Sequence, residues 1–367
     1  MGQPSLFVSA GDPSGDNAAG HLITVLKKQY PGLEFYGLGG PRLKKLGQLQ
    51  LAESHDLAVL GFWEVARRYL FFRRLFFRCV EKIKTERPAC VLLVDYPGFN
   101  LRLAEKIKPL GIPIVYYISP QVWAWGKGRL PKIEKLVDLM MYILPFEDAT
   151  YTGLSLESGF VGHYLLEDIP STYIKSPLPE NRQIALLPGS RPQEIERMLP
   201  VMLKAAAKMR KKYGTEAVIA GVKDTFNYAK YLAAKKEGLR LSFEDSRKII
   251  YESRLVLTSS GTATLETGII GRPMVVIYKT GFVTYLIARN LVKLTMIGLV
   301  NLVQGEIVVP ELIQGEASAG NIVRELERYL TNNDYLATVK GKLDRIPGIL
   351  GGPGASERAA RLVGRYL

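Results

Sequence analysis

Residues able to do chemistry gather in short segments, each following an apolar run. Leu6–Ser9 leads into Gly11-Asp-Pro-Ser-Gly-Asp16. Its glycines let backbone N–H groups approach a ligand where Ser14, Gly15 and Asp16 open a helix; the same residues also make an ordinary turn and N-cap. Cys90–Val94 leads into Asp95-Tyr-Pro-Gly-Phe-Asn100, which sets a carboxylate at a strand end. Asp95 there is either a general base acting on a hydroxyl or a helix cap or turn residue. Gln183–Leu187 leads into Pro188-Gly-Ser190-Arg191 and then Glu194. A guanidinium fork and free amides at a helix start would neutralise a diphosphate, with a structural salt bridge from Arg191 as the competing account. Leu255–Thr258 leads into Ser259-Ser260-Gly261-Thr262-Ala-Thr-Leu-Glu266, a hydroxyl-rich helix opening that can accept phosphate. Glu266 would hold ribose hydroxyls or belong to a cap network.

Other chemistries are disfavoured by what the sequence omits. It has no Walker lysine loop, and Gly37-Leu-Gly-Gly40 lacks the third glycine of a dinucleotide fingerprint, which weakens kinase and dehydrogenase readings. No Asp-x-Asp pair occurs to hold a diphosphate through a metal, and His21, His55 and His163 lack ligand spacing. Cys79 and Cys90 are too few for a disulfide framework. We therefore expect no metal and no cofactor, and a reducing compartment.

The elements that must position these loops follow from the alternation of apolar runs with helical segments. Leu6–Ser9 precedes a helix over 17–30, Cys90–Val94 one over 100–109, and Ile114–Tyr117 one over 128–137. This is the βαβ rhythm of a doubly wound parallel sheet. A polar, proline-bearing stretch from Gly162 to Arg182 reads as a linker. The rhythm restarts with Gln183–Leu187, a helix over 192–213, and strands at Ala217–Ala220, Leu255–Thr258 and Met274–Tyr278. The expectation is an α/β protein of two Rossmann-like domains facing one cleft. The first spans 1–165 and is completed by a tail helix within 354–367; the second spans 180–345. In such sheets ligands bind beyond the carboxyl ends of the strands, where all the candidate loops fall.

The 367 residues suffice for two domains, and an apolar fraction of 47% suits packed cores. The opening residues have neither a basic region nor a long apolar core and read as a first strand, not a signal peptide. A formal charge of +14 implies an anionic partner. Between Arg67 and Arg87 eight Lys or Arg stand against two Glu, interleaved with Tyr69, Leu70, Phe71, Phe72, Leu75, Phe76 and Phe77. At about 100° per residue, Arg67, Phe71, Arg74, Leu75, Arg78 and Lys82 share one face, which sets apolar residues among cations as an anionic bilayer interface requires. The alternative is a core helix with a solvated basic face. A second apolar run, Gly281–Val300, carries Arg289, Asn290 and Lys293 near its middle and reads as a cleft-lining helix, not a membrane span.

Taken together, Gly11–Asp16, Leu60-Gly-Phe-Trp-Glu64, Asp95–Asn100, Ser119-Pro-Gln-Val-Trp-Ala-Trp125, Val161-Gly-His163, Leu187–Arg191 and Gly261–Glu266 resemble the lipid A disaccharide synthase family over nearly the whole chain. Asp12 and Pro13 stand where that family commonly has Glu and Ala. The resemblance implies a GT-B fold and an inverting, metal-independent transfer of 2,3-diacylglucosamine from UDP to 2,3-diacylglucosamine 1-phosphate, giving a β-1,6 disaccharide phosphate. It implies that Asp95 is required for activity, that Arg191, with Ser190, Ser260, Gly261 and Thr262 nearby, meets the nucleotide diphosphate, that Glu266 meets the ribose or uridine, and that Asn301 is a further active-site residue. It also makes the basic helix a membrane contact, on the cytoplasmic face of the inner membrane of a Gram-negative-type bacterium. Oligomerisation is compatible with the sequence. Two rivals remain at this point: a UDP-sugar epimerase of the same fold, and a basic nucleic-acid-binding protein, the latter disfavoured because the aromatic residues accompany leucines on an apolar helix without forming a stacking module.

Overall fold

The computed structural model of the chain describes residues 4–53, 69–123, 127–232, 238–280 and 296–367. Arg67, the Leu60–Glu64 segment, Ala124–Gly126 and most of the Gly281–Val300 run lie outside the described residues. The chain divides into two compact units, Met1–Glu167 with Gly351–Leu367, and Asp168–Leu350.

The first unit is built on a seven-stranded parallel sheet of β1 (Ser5–Ala10), β2 (Glu34–Gly39), β3 (Leu49–Glu53), β4 (Cys90–Val94), β5 (Ile114–Tyr117), β6 (Leu139–Tyr142) and β7 (Glu157–Phe160). The strand order is β3-β2-β1-β4-β5-β6-β7. Every residue of β4 is buried, which is why this central strand reads as an unbroken apolar run: a strand covered on both faces has no polar side to show. The order reverses between β1 and β4, so the chain leaves those neighbouring strands in opposite directions and a crevice opens at their carboxyl ends. Crossing helices relevant to the site are α1 (Pro13–Gln29), α2 (Pro41–Lys45), α3 (Tyr69–Glu86) and α4 (Pro97–Ile107).

The orientation of α3 corrects one expectation. Leu75 is only 2% exposed and packs in the core with Cys79 and Ile83, so it does not face outward with Arg74 and Arg78. The helix carries bulky apolar residues around much of its circumference, and burial selects the arc where Leu75, Cys79 and Ile83 repeat every four residues, flanked by Phe72, Phe76 and Val80. Away from that arc Leu70 and Phe77 are exposed with Arg73, and Phe71, one turn ahead of Leu75 near the helix start, is exposed with Arg74 and Arg78 on the flanks.

The second unit holds a six-stranded parallel sheet of β8 (Gln183–Leu187), β9 (Glu216–Ala220), β10 (Leu239–Ser242), β11 (Leu255–Ser259), β12 (Met274–Tyr278) and β13 (Glu311–Ile313), ordered β10-β9-β8-β11-β12-β13. Its reversal falls between β8 and β11. The helices used below are α5 (Pro192–Tyr213), α6 (Ser246–Glu252), α7 (Thr262–Ile270) and α8 (Leu299–Gln304).

The tail helix Ala355–Val363 belongs to the first unit and packs on α1. Glu167 receives it: the Ser356 N–H donates to Glu167 Oε1 at 2.8 Å and the Ser356 hydroxyl to Oε2. That satisfies an amide which the first turn of a helix cannot satisfy internally.

Candidate active site

Each reversal in strand order carries two of the loops singled out by residue type. In the first unit Ala10 pairs with Val94, so the loops after β1 and β4 begin side by side. Asp95 and Tyr96 both take left-handed backbone conformations, with φ of 46° and 48°, which side-chain-bearing residues seldom adopt without support. Three groups hold the turn. Asn100 Nδ2 donates to the Asp95 carbonyl at 2.7 Å, the Tyr116 hydroxyl donates to the same oxygen at 2.6 Å, and the Asp95 N–H donates to the Tyr117 carbonyl at 2.9 Å. Asn100 is itself fully buried and accepts the Ser9 hydroxyl at 2.7 Å. Gly11 lies beneath the Tyr96 ring, where a Cβ would stand 2.4 Å from a ring carbon.

This setting acts on the Asp95 carboxyl. Burial first, and the neighbouring Asp12 carboxylate second, push it up to about 6, against a hydrogen bond from the Tyr96 backbone. A carboxylate near 6 is ionised at neutral pH and more basic than an ordinary aspartate, as a general base needs. Asp12 also caps α1 by accepting the Gly15 N–H at 2.6 Å, so it has both a structural and an electrostatic part. Asp16 is 4% exposed and accepts the N–H groups of Gly40, Arg42 and Leu43. It therefore ties the loop after β1 to the loop after β2, while Ser14 stays exposed.

Further along the same sheet edge, Ser119 shares a 2.6 Å hydrogen bond with the Tyr151 hydroxyl. Beside it Glu147, 2% exposed, accepts the Leu144 N–H at 3.0 Å. Burial pushes the Glu147 carboxyl up to about 7 against hydrogen bonds from Leu144 and Ser119. Neither Glu147 nor the supporting Tyr116 stood out in the sequence: one sits in a short Pro-Phe-Glu turn and the other inside an apolar strand, and only tertiary contact gives them their parts.

In the second unit Leu187 pairs with Thr258, which sets the loops after β8 and β11 next to each other. Gly189 has φ of 114° and a Cβ there would meet Glu194 Oε2 at 2.7 Å, so only glycine lets the chain turn under Glu194. Arg191 is the N-cap of α5. Its side chain is 59% exposed and reaches Glu194 at 3.4 Å, too long and open a pair to fix the guanidinium. The first amides of α5 and of α7 emerge from adjacent strands with no partner inside their own helices, and the exposed residues Ser190, Gly261 and Thr262 lie at these openings. Glu266, on the next turn of α7, is pushed up to about 7 by burial, with Arg247 opposing and Asp245 and Asp168 adding to the rise. Arg247 grips Asp245 with Nε at 3.0 Å and Nη2 at 2.9 Å.

Asn301, expected at the active site, sits inside a closed set of hydrogen bonds. It is fully buried, its amide nitrogen donates to the Val309 carbonyl at 2.9 Å and to Glu311 Oε1 at 2.7 Å, and its oxygen accepts the N–H groups of Val308 and Val309. All four of its hydrogen-bonding positions are taken. The Ser260 hydroxyl is likewise occupied, donating to the Ile297 carbonyl at 3.1 Å, so its proton is not directed at a ligand.

Comparison with known proteins bears on family and fold. Residues 6–346 match the family model described as lipid-A-disaccharide synthetase. The chain is 40% identical to the lipid-A-disaccharide synthase of Anaeromyxobacter dehalogenans, with 98% of this chain and 96% of the relative covered. It is also 40% identical to that of Syntrophus aciditrophicus, with 98% and 97% covered. Among solved structures it is similar to the UDP-GlcNAc 2-epimerase of Neisseria meningitidis bound to UDP-GlcNAc, at TM-score 0.65 and 13% identity over 99% of this chain and 100% of that one. The calicheamicin glycosyltransferase CalG4 matches at TM-score 0.64 and 14% identity over 100% and 99%. These distant structural likenesses establish the fold, a GT-B architecture of two parallel-sheet units.

Proposed function

The chain belongs to the lipid-A-disaccharide synthase family and is a UDP-dependent glycosyltransferase of lipid A synthesis, and on that premise we propose the substrates and the part each residue plays. The donor is UDP-2,3-diacylglucosamine and the acceptor 2,3-diacylglucosamine 1-phosphate. Asp95 takes the proton of the acceptor 6-hydroxyl while that oxygen forms a bond to the donor's anomeric carbon. The bond from that carbon to the diphosphate oxygen breaks, inverting the centre and giving a β-1,6 linkage. UDP leaves carrying the bonding electron pair. Arg191, Ser190 and the free amides around Gly261 and Thr262 neutralise its charge, and Glu266 accepts ribose hydroxyls. This division requires no metal ion. Ser14 and Gly15 line the acceptor's side of the Asp95 turn, and Asp16 holds that loop in place.

The observation that carries the assignment is the coincidence of chemistry with topology: the base-bearing turn lies at the strand reversal of the first sheet, and the anion-binding loops at that of the second. The epimerase and nucleic-acid readings are not favoured, because full-length relatives at 40% identity are synthases.

Acylated substrates demand contact with a lipid surface. No helix among the described residues is long and apolar enough to cross a membrane. We propose that the exposed residues of α3, Leu70, Phe71 and Phe77 with Arg73, Arg74 and Arg78, dock on the anionic inner face of the inner membrane. The deciding assay incubates purified protein with both substrates, detergent and EDTA and follows UDP release together with disaccharide formation. Acceptor-dependent product in EDTA is expected; loss of product on chelation, restored by added metal, would sink the metal-independent mechanism.

A further inference from the structure

The closed partner set of Asn301 raises the question of what it serves, and its hydrogen bonds lead to a residue with no assigned part. Glu311 opens β13, which pairs with β12 at the rim of the second sheet. Its Oε2 accepts the Ile297 N–H at 2.7 Å. Its Oε1 accepts the Gly298 N–H at 2.9 Å and the Asn301 side-chain amide at 2.7 Å. The carboxylate thus takes two backbone donors just ahead of α8, as charge-assisted hydrogen bonds that are stronger than neutral ones. Asn301 holds the other side, fixing the Val308–Val309 backbone that leads into Glu311. The fit is close, since a Cβ on Gly298 would stand 3.0 Å from Glu311 Oε1.

What this clip presents is the Ile297 carbonyl, and that carbonyl accepts the hydroxyl of Ser260. Ser260 follows β11 directly and precedes Gly261, the N-cap of α7, whose φ of 135° suits glycine and which offers the first amides of α7 no side-chain cap. A continuous path of hydrogen bonds therefore runs from Glu311 through the Ile297–Gly298 backbone to the anion-binding loop.

We propose that Glu311 is a positioning residue for the donor diphosphate, acting through Ile297 and Ser260, and that Asn301 belongs to this support without touching substrate. The inference rests on the reading of the Ser260–Thr262 loop as the diphosphate site. Glu311 fixes the loop's geometry in advance, so that UDP binding does not have to order it. A carboxylate is required because two amides and a side-chain N–H converge on it. The amide of glutamine would turn a donor toward at least one of those donors.

The test uses the full chain with UDP as the probe, measuring UDP affinity by calorimetry and steady-state kinetics for Glu311→Gln, Ser260→Ala and the double variant. Glu311→Gln should weaken UDP binding and raise KM for the UDP-sugar by about tenfold, while KM for the acceptor stays within about twofold of the parent. Ser260→Ala, which removes only the last link, should weaken UDP about three- to fivefold, and the double variant should be no weaker than Glu311→Gln alone because both act on one path. Glu311→Asp should recover part of the loss. Unchanged UDP affinity in Glu311→Gln, additive losses in the double variant, or a parallel rise in acceptor KM would overturn the proposal. Should Glu311→Gln fail to fold, unchanged UDP affinity in Ser260→Ala overturns it equally. A parent protein that binds no UDP refutes the reading of the loop itself, an outcome distinct from any pattern among the variants.

Discussion

Asp95 shows how much a single position owes to its neighbours. Its place at the end of an apolar run was legible, because a carboxylate there is a chemical choice that the strand does not need. Its left-handed backbone and raised basicity were not, since they depend on Tyr116, Asn100 and Asp12, brought together from separate strands and loops. With the carboxyl near 6, log kcat/KM should fall with unit slope below about pH 6, and Asp95→Asn should lose at least about a hundredfold in kcat and that limb of the profile. The same shift has a stability consequence. Because the folded state holds the proton more tightly than the unfolded one, Asp95's contribution is most favourable below the ordinary value of 3.8 and is lost as pH rises towards 6. The loss at neutral pH is at most about 3 kcal/mol. Asp95→Asn should therefore melt higher than the parent at pH 7.5, with the gap closing by pH 4; equal melting at both would remove the burial argument. Asn301 illustrates the converse: the resemblance singled out the residue, but only the structure shows that its side chain is bonded to Val309 and Glu311.

At the scale of elements, α3 buries some of its bulky apolar residues and exposes others, a division that periodicity could not make. Too many of its positions are bulky and apolar for the sequence to say which arc packs, and the choice fell to the fit of Leu75, Cys79 and Ile83 in the core. Leu75→Ala should cost about 2–5 kcal/mol in chemical denaturation and leave vesicle binding of the remaining folded protein intact. Phe77→Glu, at a position 47% exposed, should change stability by less than about 0.5 kcal/mol and sharply reduce sedimentation with anionic vesicles. Retained sedimentation of Phe77→Glu would dismiss this face as the docking surface. The central strands β4, β5, β8 and β12 read directly from their apolar runs, whereas β2 and β3 did not. Glycines interrupt the apolar pattern of β2, and its pairing with β3 slips in register between Gly37 and Leu38. A strand whose partner is out of step leaves little periodic trace.

Across the whole molecule, both units are built on a parallel sheet but differ in continuity. Asp168–Leu350 is a single stretch of chain, and Met1–Glu167 is joined by Gly351–Leu367. Glu167 anchors the returning helix through Ser356, Arg358 Nε reaches the Val161 carbonyl at 2.8 Å, and Tyr30 donates to the Gly364 carbonyl at 3.2 Å. Glu167→Ala should cost about 1–2 kcal/mol by removing this cap. In hydrogen exchange the amides of the tail helix and of α1 should lose protection together, ahead of the second unit; uniform loss throughout the chain would show that the tail is not a separable part of the first unit. The discontinuity also reaches back to the ribosome. Synthesis delivers the second unit entire before it delivers the helix that the first one lacks, so the part begun earliest is completed last. During that interval the apolar residues of α1 that the tail helix covers wait exposed, and a chaperone that shields them would matter more here than for a protein whose domains finish in the order they are made.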